Sequence, residues 1–226
     1  FSDTTETIKV HGGAGDKVSL AGNWIDSGTQ PVIYNGGSAS QYVKYTLLDP
    51  VTNITATVLL DPNVDVTISY VGSTGDDVRT FNPTDIAVDG AGGADTLEFD
   101  TASASDVVLD LADTAGRPTI TSVETLDITG SGDNYLAVSP ASVYELAADT
   151  GELTIEADSG DLVFLEDWGA STGTVGNYAI YEASYTPPET GVPVSVTLKV
   201  HTDATRKEVL EETGNATASS TASSDL

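Results

Sequence analysis

Residues 8–24, IKVHGGAGDKVSLAGNW, return at 153–168 as LTIEADSGDLVFLEDW. Gly15-Asp16 falls on Gly160-Asp161, Val10 on Ile155, Val18 on Val163 and Leu20 on Leu165, and Trp24 meets Trp168 after one deleted residue. The likeness runs on. QYVKYT (41–46) matches NYAIYE (177–182) with both tyrosines kept, and TATVLL (55–60) lies against VSVTLKV (194–200). An ordered recurrence of turns and apolar positions is the mark of a repeated supersecondary unit. It divides the chain into residues 1–70, the closing part of a β module, residues 71–210, a complete module ending in its own copy of that part, and residues 211–226, a polar Ser/Thr/Ala tail or assembly strand.

The segments between turns are short and β-like. DVTISYV (65–71), DTLEF (95–99), DVVLDL (106–111), ETLDIT (124–129) and DLVFL (161–165) are examples. Gly, Asp and Ser bound them, which is the pattern of strands separated by turns. One helix is expected at 139–147, where Ser139 can cap, Pro140 suits the first position and Val143, Leu146 and Ala147 share a face. The expected fold is all-β, with a β-solenoid or β-roll-like segment, packed sheets and that one short helix.

Two glycine–aspartate turns, GSTGDD (72–77) and GAGGAD (90–95), stand eighteen residues apart. In a parallel β-roll the pattern G-G-x-G-x-D-x-apolar-x builds half a coil, so turns two nonapeptides apart stack on one edge. Gly90, Gly93, Asp95 and Leu97 fit the pattern, with Ala91 at the second glycine. Gly72, Gly75 and Asp77 fit it less fully, because Arg79 stands where the apolar residue belongs. Asp113 keeps the same phase as Asp77 and Asp95. Carboxylates and carbonyls on such turns suit calcium, a hard cation that takes 6–8 oxygens. The candidate metal residues are therefore Asp76, Asp77, Asp95 and Asp113, with Gly75 and Gly93; the alternative is that these are simple Asx-type turns. Asp16 and Asp161 read as turn residues.

Charge narrows the partners. With 35 acids against 8 bases the net charge is −27, so phosphate-rich nucleic acid and anionic membranes are unsuitable, and cations are suitable. No apolar run is long enough to span a membrane. There is no cysteine, hence no disulfide or thiolate chemistry. The two histidines, His11 and His201, do not fall on equivalent repeat positions, and no nucleophile elbow, phosphate loop or metalloprotease motif is present. The chain is not expected to be an enzyme.

GGADTLEF (92–99), VETLDITGSGDN (123–134) with the Ser-Pro helix after it, and LTIEADSGDLVFL (153–165) followed by Trp168 and YAIY (178–181) together resemble modules of large bacterial RTX-type surface proteins, the type I secreted adhesins and biofilm matrix proteins. The resemblance covers about residues 71–185 and implies an extracellular, calcium-responsive β module on a bacterial surface or in a biofilm matrix. The chain departs from that family in lacking a long GGxGxDxLx array. The expected function is a calcium-stabilised structural or adhesive unit, polymerising head to tail by strand complementation or contacting neighbouring modules. The alternatives are an adhesin module that binds an extracellular glycan or a peptide and, behind it, a polysaccharide-active enzyme.

Overall fold

The computed structural model describes residues 6–33, 39–49, 54–81, 85–99, 106, 108–113, 117–130 and 132–209. The proposed tail, 211–226, lies outside them. The described residues form four sheets. Sheet I holds β1 (Glu6–Val10), β3 (Trp24–Ile33), β4 (Ala39–Asp49) and β5 (Ile54–Leu60) in the order β1-β5-β4-β3. Sheet II holds β2 (Lys17–Ala21), β6 (Asp65–Val71), β8 (Asp85–Asp89) and β11 (Thr119–Thr121), ordered β11-β8-β6-β2. Sheet III takes β7 (Val78–Thr80), β9 (Thr96–Glu98), β12 (Thr125–Asp127), β14 (Glu152–Glu156), β16 (Gly173–Val175), β17 (Tyr178–Tyr185) and β18 (Val194–His201), ordered β16-β17-β18-β14-β12-β9-β7. Sheet IV is β10 (Val108–Asp110), β13 (Tyr135–Val138), β15 (Leu162–Glu166) and β19 (Thr205–Val209) in that order.

All-β is therefore right. Sheets II and IV are parallel throughout, and sheet III is parallel from β7 to β18. From β6 to β13 the chain visits sheets II, III, II, III, IV, II, III and IV. Most strands on this path are three to five residues long, with one or two side chains turned inward. In-register pairing stacks those side chains in rows: Leu97, Leu126, Ile155 and Val200 in sheet III, and Leu109, Leu136 and Val163 in sheet IV. Leu97, Leu126, Ile155, Val200, Leu136 and Val163 are fully buried in one continuous core. Each such side chain contributes about 1.5–3 kcal/mol on burial, so the rows, more than the short ladders, hold the strands together.

The helix α1 (Pro140–Leu146) lies between β13 and β14. Ser139 caps it, accepting from Ser142 N, while the Ser142 hydroxyl accepts from Ser139 N and donates to Leu111 O. Pro140 begins the helix, and Val143 and Leu146 are buried.

The two stretches that match in sequence share one topology. Parallel β1–β5 with the antiparallel β4 and β3 corresponds to parallel β14–β18 with the antiparallel β17 and β16. Parallel β2–β6 corresponds to β15–β19. Details agree as well. Tyr45 lies opposite Val58 as Tyr181 lies opposite Leu198. Asp65 N donates to Asp16 O, and Thr205 N donates to Asp161 O. Gly13 N donates to Asp16 Oδ2, and Asp158 N to Asp161 Oδ2. Gly15 and Gly160 both take positive φ, 95° and 122°, a conformation that glycine adopts without penalty.

Arg79 joins the first copy to the strands that follow it. Its guanidinium is buried, donates to both carboxylate oxygens of buried Asp85, reaches Asn23 Oδ1 and Trp24 O, and lies over the Tyr70 ring. The polar residue at this apolar position of the turn pattern is thus fully partnered, apart from its Nε.

Candidate functional site

The glycine turns form the corner between sheets II and III. Val78 pairs with Thr96, eighteen residues on, and Ser69 pairs with Ala87. The turn at 72–77 therefore sits directly on the turn at 90–95. Gly72 N donates to Asp89 O, Gly92 N to Ser73 O, and Thr96 N to Asp77 O. The glycines make this approach possible. A Cβ on Gly72 would lie 2.3 Å from Gly90 O, and one on Gly93, at φ 130°, would lie 2.5 Å from the Gly75 carbonyl carbon. Ala91 occupies the left-handed region at φ 74°, where the pattern's second glycine belongs.

The aspartates use their carboxylates to stitch one turn to the next. Asp76 Oδ1 accepts from Ala94 N, and Asp95 Oδ1 accepts from Asp77 N. Asp77 Oδ2 is satisfied within its own turn by Ser73 N and Ser73 Oγ. Asp95 differs. In its turn Ala91 stands where Ser73 stood, so no hydroxyl is available, and Ala91 N donates to Asp89 Oδ1 instead. Asp95 is only 2% exposed, and its Oδ2 is buried without a hydrogen-bond partner. Burial pushes its pKa up; the bond from Asp77 N opposes the shift, and the charges of Asp77, Asp76 and Asp89 add to it.

Asp113 is not the third rung. The strand beside β9 is β12, with Thr96 against Thr125. The third turn on this corner is therefore 122–124, twenty-nine residues after the second, and Ser122 O lies where a Cβ of Gly90 would be. Glu124 takes the carboxylate role, its Oε2 accepting from Asp95 N. Asp113 instead follows β10, in sheet IV, and its N–H donates to Asp110 Oδ1. The longer stretch between β9 and β12, a register step of twenty-nine residues, breaks the eighteen-residue phase.

A second row of acids, not apparent from the sequence spacing, lines the corner between sheets III and IV. Asp133 N donates to Asp106 Oδ1, Gly130 N to Asp158 Oδ2, and Asn134 N and Nδ2 to Asp161 Oδ1. Asp161 is fully buried, and burial raises its pKa even against these bonds. The register here steps by 27 residues from β10 to β13 and again from β13 to β15, so a search at a period of eighteen passes over this row. Asp16 and Asp161 are turn residues, as their local bonds require.

Trp24 and Trp168 both pack inward, and each indole N–H donates to a carbonyl, Ala21 O and Val138 O. Tyr42 and Tyr178, at equivalent positions of β4 and β17, lie against the two histidines, Tyr42 on His11 and Tyr178 on His201.

Calcium takes oxygen ligands, and this corner offers only oxygen. Asp95 is the fitting centre, with its unpartnered Oδ2 and with Asp76, Asp77 and Asp89 adding negative charge. Among the described residues no three carboxylate or imidazole groups converge as a ready-made metal cage. Backbone carbonyls and water would complete the shell. Among the described residues no helix is long and apolar enough to cross a membrane. No family model, curated protein or solved structure matches this chain.

Proposed function

We propose that the chain is an extracellular, calcium-stabilised structural unit of a bacterial surface protein, fibre or biofilm matrix, built as a short β-roll whose coils are joined at glycine–aspartate turns. The observation that carries this reading is Asp95: a buried carboxylate with one oxygen unpartnered, set between stacked turns and beside like charges. A buried charge without a partner is costly, and a cation is the simplest group that would complete it. The net charge of −27 acts in the same direction.

Asp95 would hold the ion, with Asp76, Asp77 and Asp89 supplying further negative charge and Gly75 and Gly93 keeping the turns in contact. Bound calcium supplies two positive charges. Because the stacked turns exist only in the folded chain, binding raises stability by mass action, about 1.4 kcal/mol at a tenfold excess over the dissociation constant. In a calcium-poor compartment the same acids repel and leave the fold marginal. The role is mechanical, and no catalytic step is assigned.

Thermal unfolding in millimolar calcium and in EDTA tests the reading. The wild type should melt several degrees higher with calcium. Asp95→Asn should melt higher than the wild type in EDTA and lose most of the calcium response. Equal melting temperatures for the wild type in calcium and in EDTA would sink the proposal.

A further inference from the structure

The second copy of the repeated unit reveals what the first one lacks. β14 lies between β12 and β18, and β15 between β13 and β19, so both are paired on both sides. Their counterparts are not: among the described residues β1 pairs only with β5 and β2 only with β6. The outer bonds of the second copy run from Thr154 N to Glu124 O and from Leu162 N to Asn134 O. The matching positions in the first copy are Lys9 and Lys17. Apolar side chains follow suit. Ile8 is 56% exposed, whereas its counterpart Leu153 is fully buried. At the far end the relation is reversed: β6 carries β8 on its other side, while its counterpart β19 pairs only with β15 among the described residues.

We propose that the outer edge of β1 and β2 is a docking surface for the β19 end of a second copy of this chain. β2 needs a parallel strand before it and β19 needs one after it, so pairing β19 with β2 satisfies both, while β18 is already flanked by β14 and β17. Edge strands with unpaired amides are templates for such addition. Two different surfaces meet, so the contact is heterologous and each copy keeps one free end for the next, giving a filament unless the rotation closes a ring. The inference deepens the scaffold reading and rests on it for its biological sense, but not for its test.

Proline can remove one outward amide from each end. Leu162 N points away from β19, and by the two-residue alternation so does Phe164 N, whose counterpart is Ser19. Thr205 N points towards β15, so Glu208 N, three residues on, points outward. The full chain, Ser19→Pro and Glu208→Pro should be compared by sedimentation velocity over a wide concentration range, with calcium and with EDTA. The expected result is growing oligomers for the wild type and monomers for each variant alone. An equimolar mixture of the two should give dimers that grow no further, because each variant keeps one intact end. Ile8→Asp serves as the second variant at the β1–β2 end should Ser19→Pro not fold. A wild type that stays monomeric overturns the proposal and points to an edge covered by other residues of its own or of a longer chain. Variants that associate like the wild type overturn it too. So does loss of association on truncation after Val209 while Glu208→Pro still assembles, which would make residues 210–226 the occupant. Calcium-dependent melting without association would leave the cation reading standing and remove this one.

Discussion

Residues 6–71 and 152–209 follow the same strand order and keep the same turns, yet they are buried differently. Leu165 is fully buried and Leu20 is 8% exposed. Trp168 is 1% exposed and Trp24 8%. Asp161 is buried under three donated bonds, whereas Asp16, in the same turn, is exposed. The sequence of the unit is enough to set its topology. How much each side chain contributes is set by what lies beside the unit: β12 and β13 flank the second copy, and no described strand does so for the first. Identical architecture therefore does not mean equal stability, and the first copy should be the weaker of the two.

The strongest way to break the comparison is at the joint. Arg79→Met would leave Asp85 charged and buried and would release Asn23 and Trp24 O. Breaking one side of a buried pair costs about 3–5 kcal/mol. Urea unfolding should lose its single transition, with the first copy melting before the remainder. Arg79→Met with Asp85→Leu should recover much of the loss.

Next in size is a matched truncation. Leu153→Ala should cost about 2–5 kcal/mol, as large-to-small changes in cores do. Ile8→Ala, at the equivalent position but half exposed, should cost well under that. Equal losses in urea denaturation would mean that the two copies are buried alike in solution.

A third test uses pH. The raised folded pKa values of Asp95 and Asp161 make their contribution to stability greatest below the ordinary aspartate range, and that contribution is lost as pH rises through the raised values. In EDTA at fixed ionic strength the urea midpoint should therefore fall as pH rises from that range towards neutrality. Asp95→Asn should flatten this slope, and calcium should oppose it. A slope identical in wild type and Asp95→Asn would show that Asp95 ionises as readily in the folded chain as in the unfolded one.

The smallest effect separates two glycines. Gly15→Ala and Gly160→Ala both force a side chain into positive φ, each at a cost of about 1–2 kcal/mol. Nothing lies within 4 Å of a Cβ on Gly15, whereas one on Gly160 would come within 2.6 Å of Asp133 Oδ1. The Asp133 carboxylate can move, so Gly160→Ala should be the worse by a few tenths of a kcal/mol, read as a difference in melting temperature.

Local and repeated features were legible in the sequence. The helix at Pro140–Leu146 follows from its cap and proline, and the stacking of Gly72–Asp77 on Gly90–Asp95 follows from their spacing. Asp113 misled because a fixed period assumes equal register steps, and the step from β9 to β12 is longer. Glu124 was invisible for the same reason, whereas Asp106, Asp133 and Asp158 belong to a row that steps by 27 residues rather than eighteen. Arg79 looked like a flaw in the pattern, because its partners Asn23, Trp24 and Asp85 lie on other strands and nothing local announces them. Parallel pairing is non-local, and a sequence declares it only when the intervals are regular.

Those unequal intervals have a consequence of their own. From β7 to β9 the chain advances eighteen residues per register step, then twenty-nine to β12, twenty-nine to β14 and forty-five to β18, while the inward row continues in register from Leu97 to Val200. The intervening chain forms β10 and β11 in the first of the longer steps, β13 and α1 in the second, and β15 with the β16–β17 hairpin in the third. The spine is thus indifferent to how much polypeptide hangs between its rungs. Such a frame can acquire or shed outer segments over evolutionary time without re-solving its fold, and the exposed turn between β17 and β18 is where foreign sequence could be grafted and displayed.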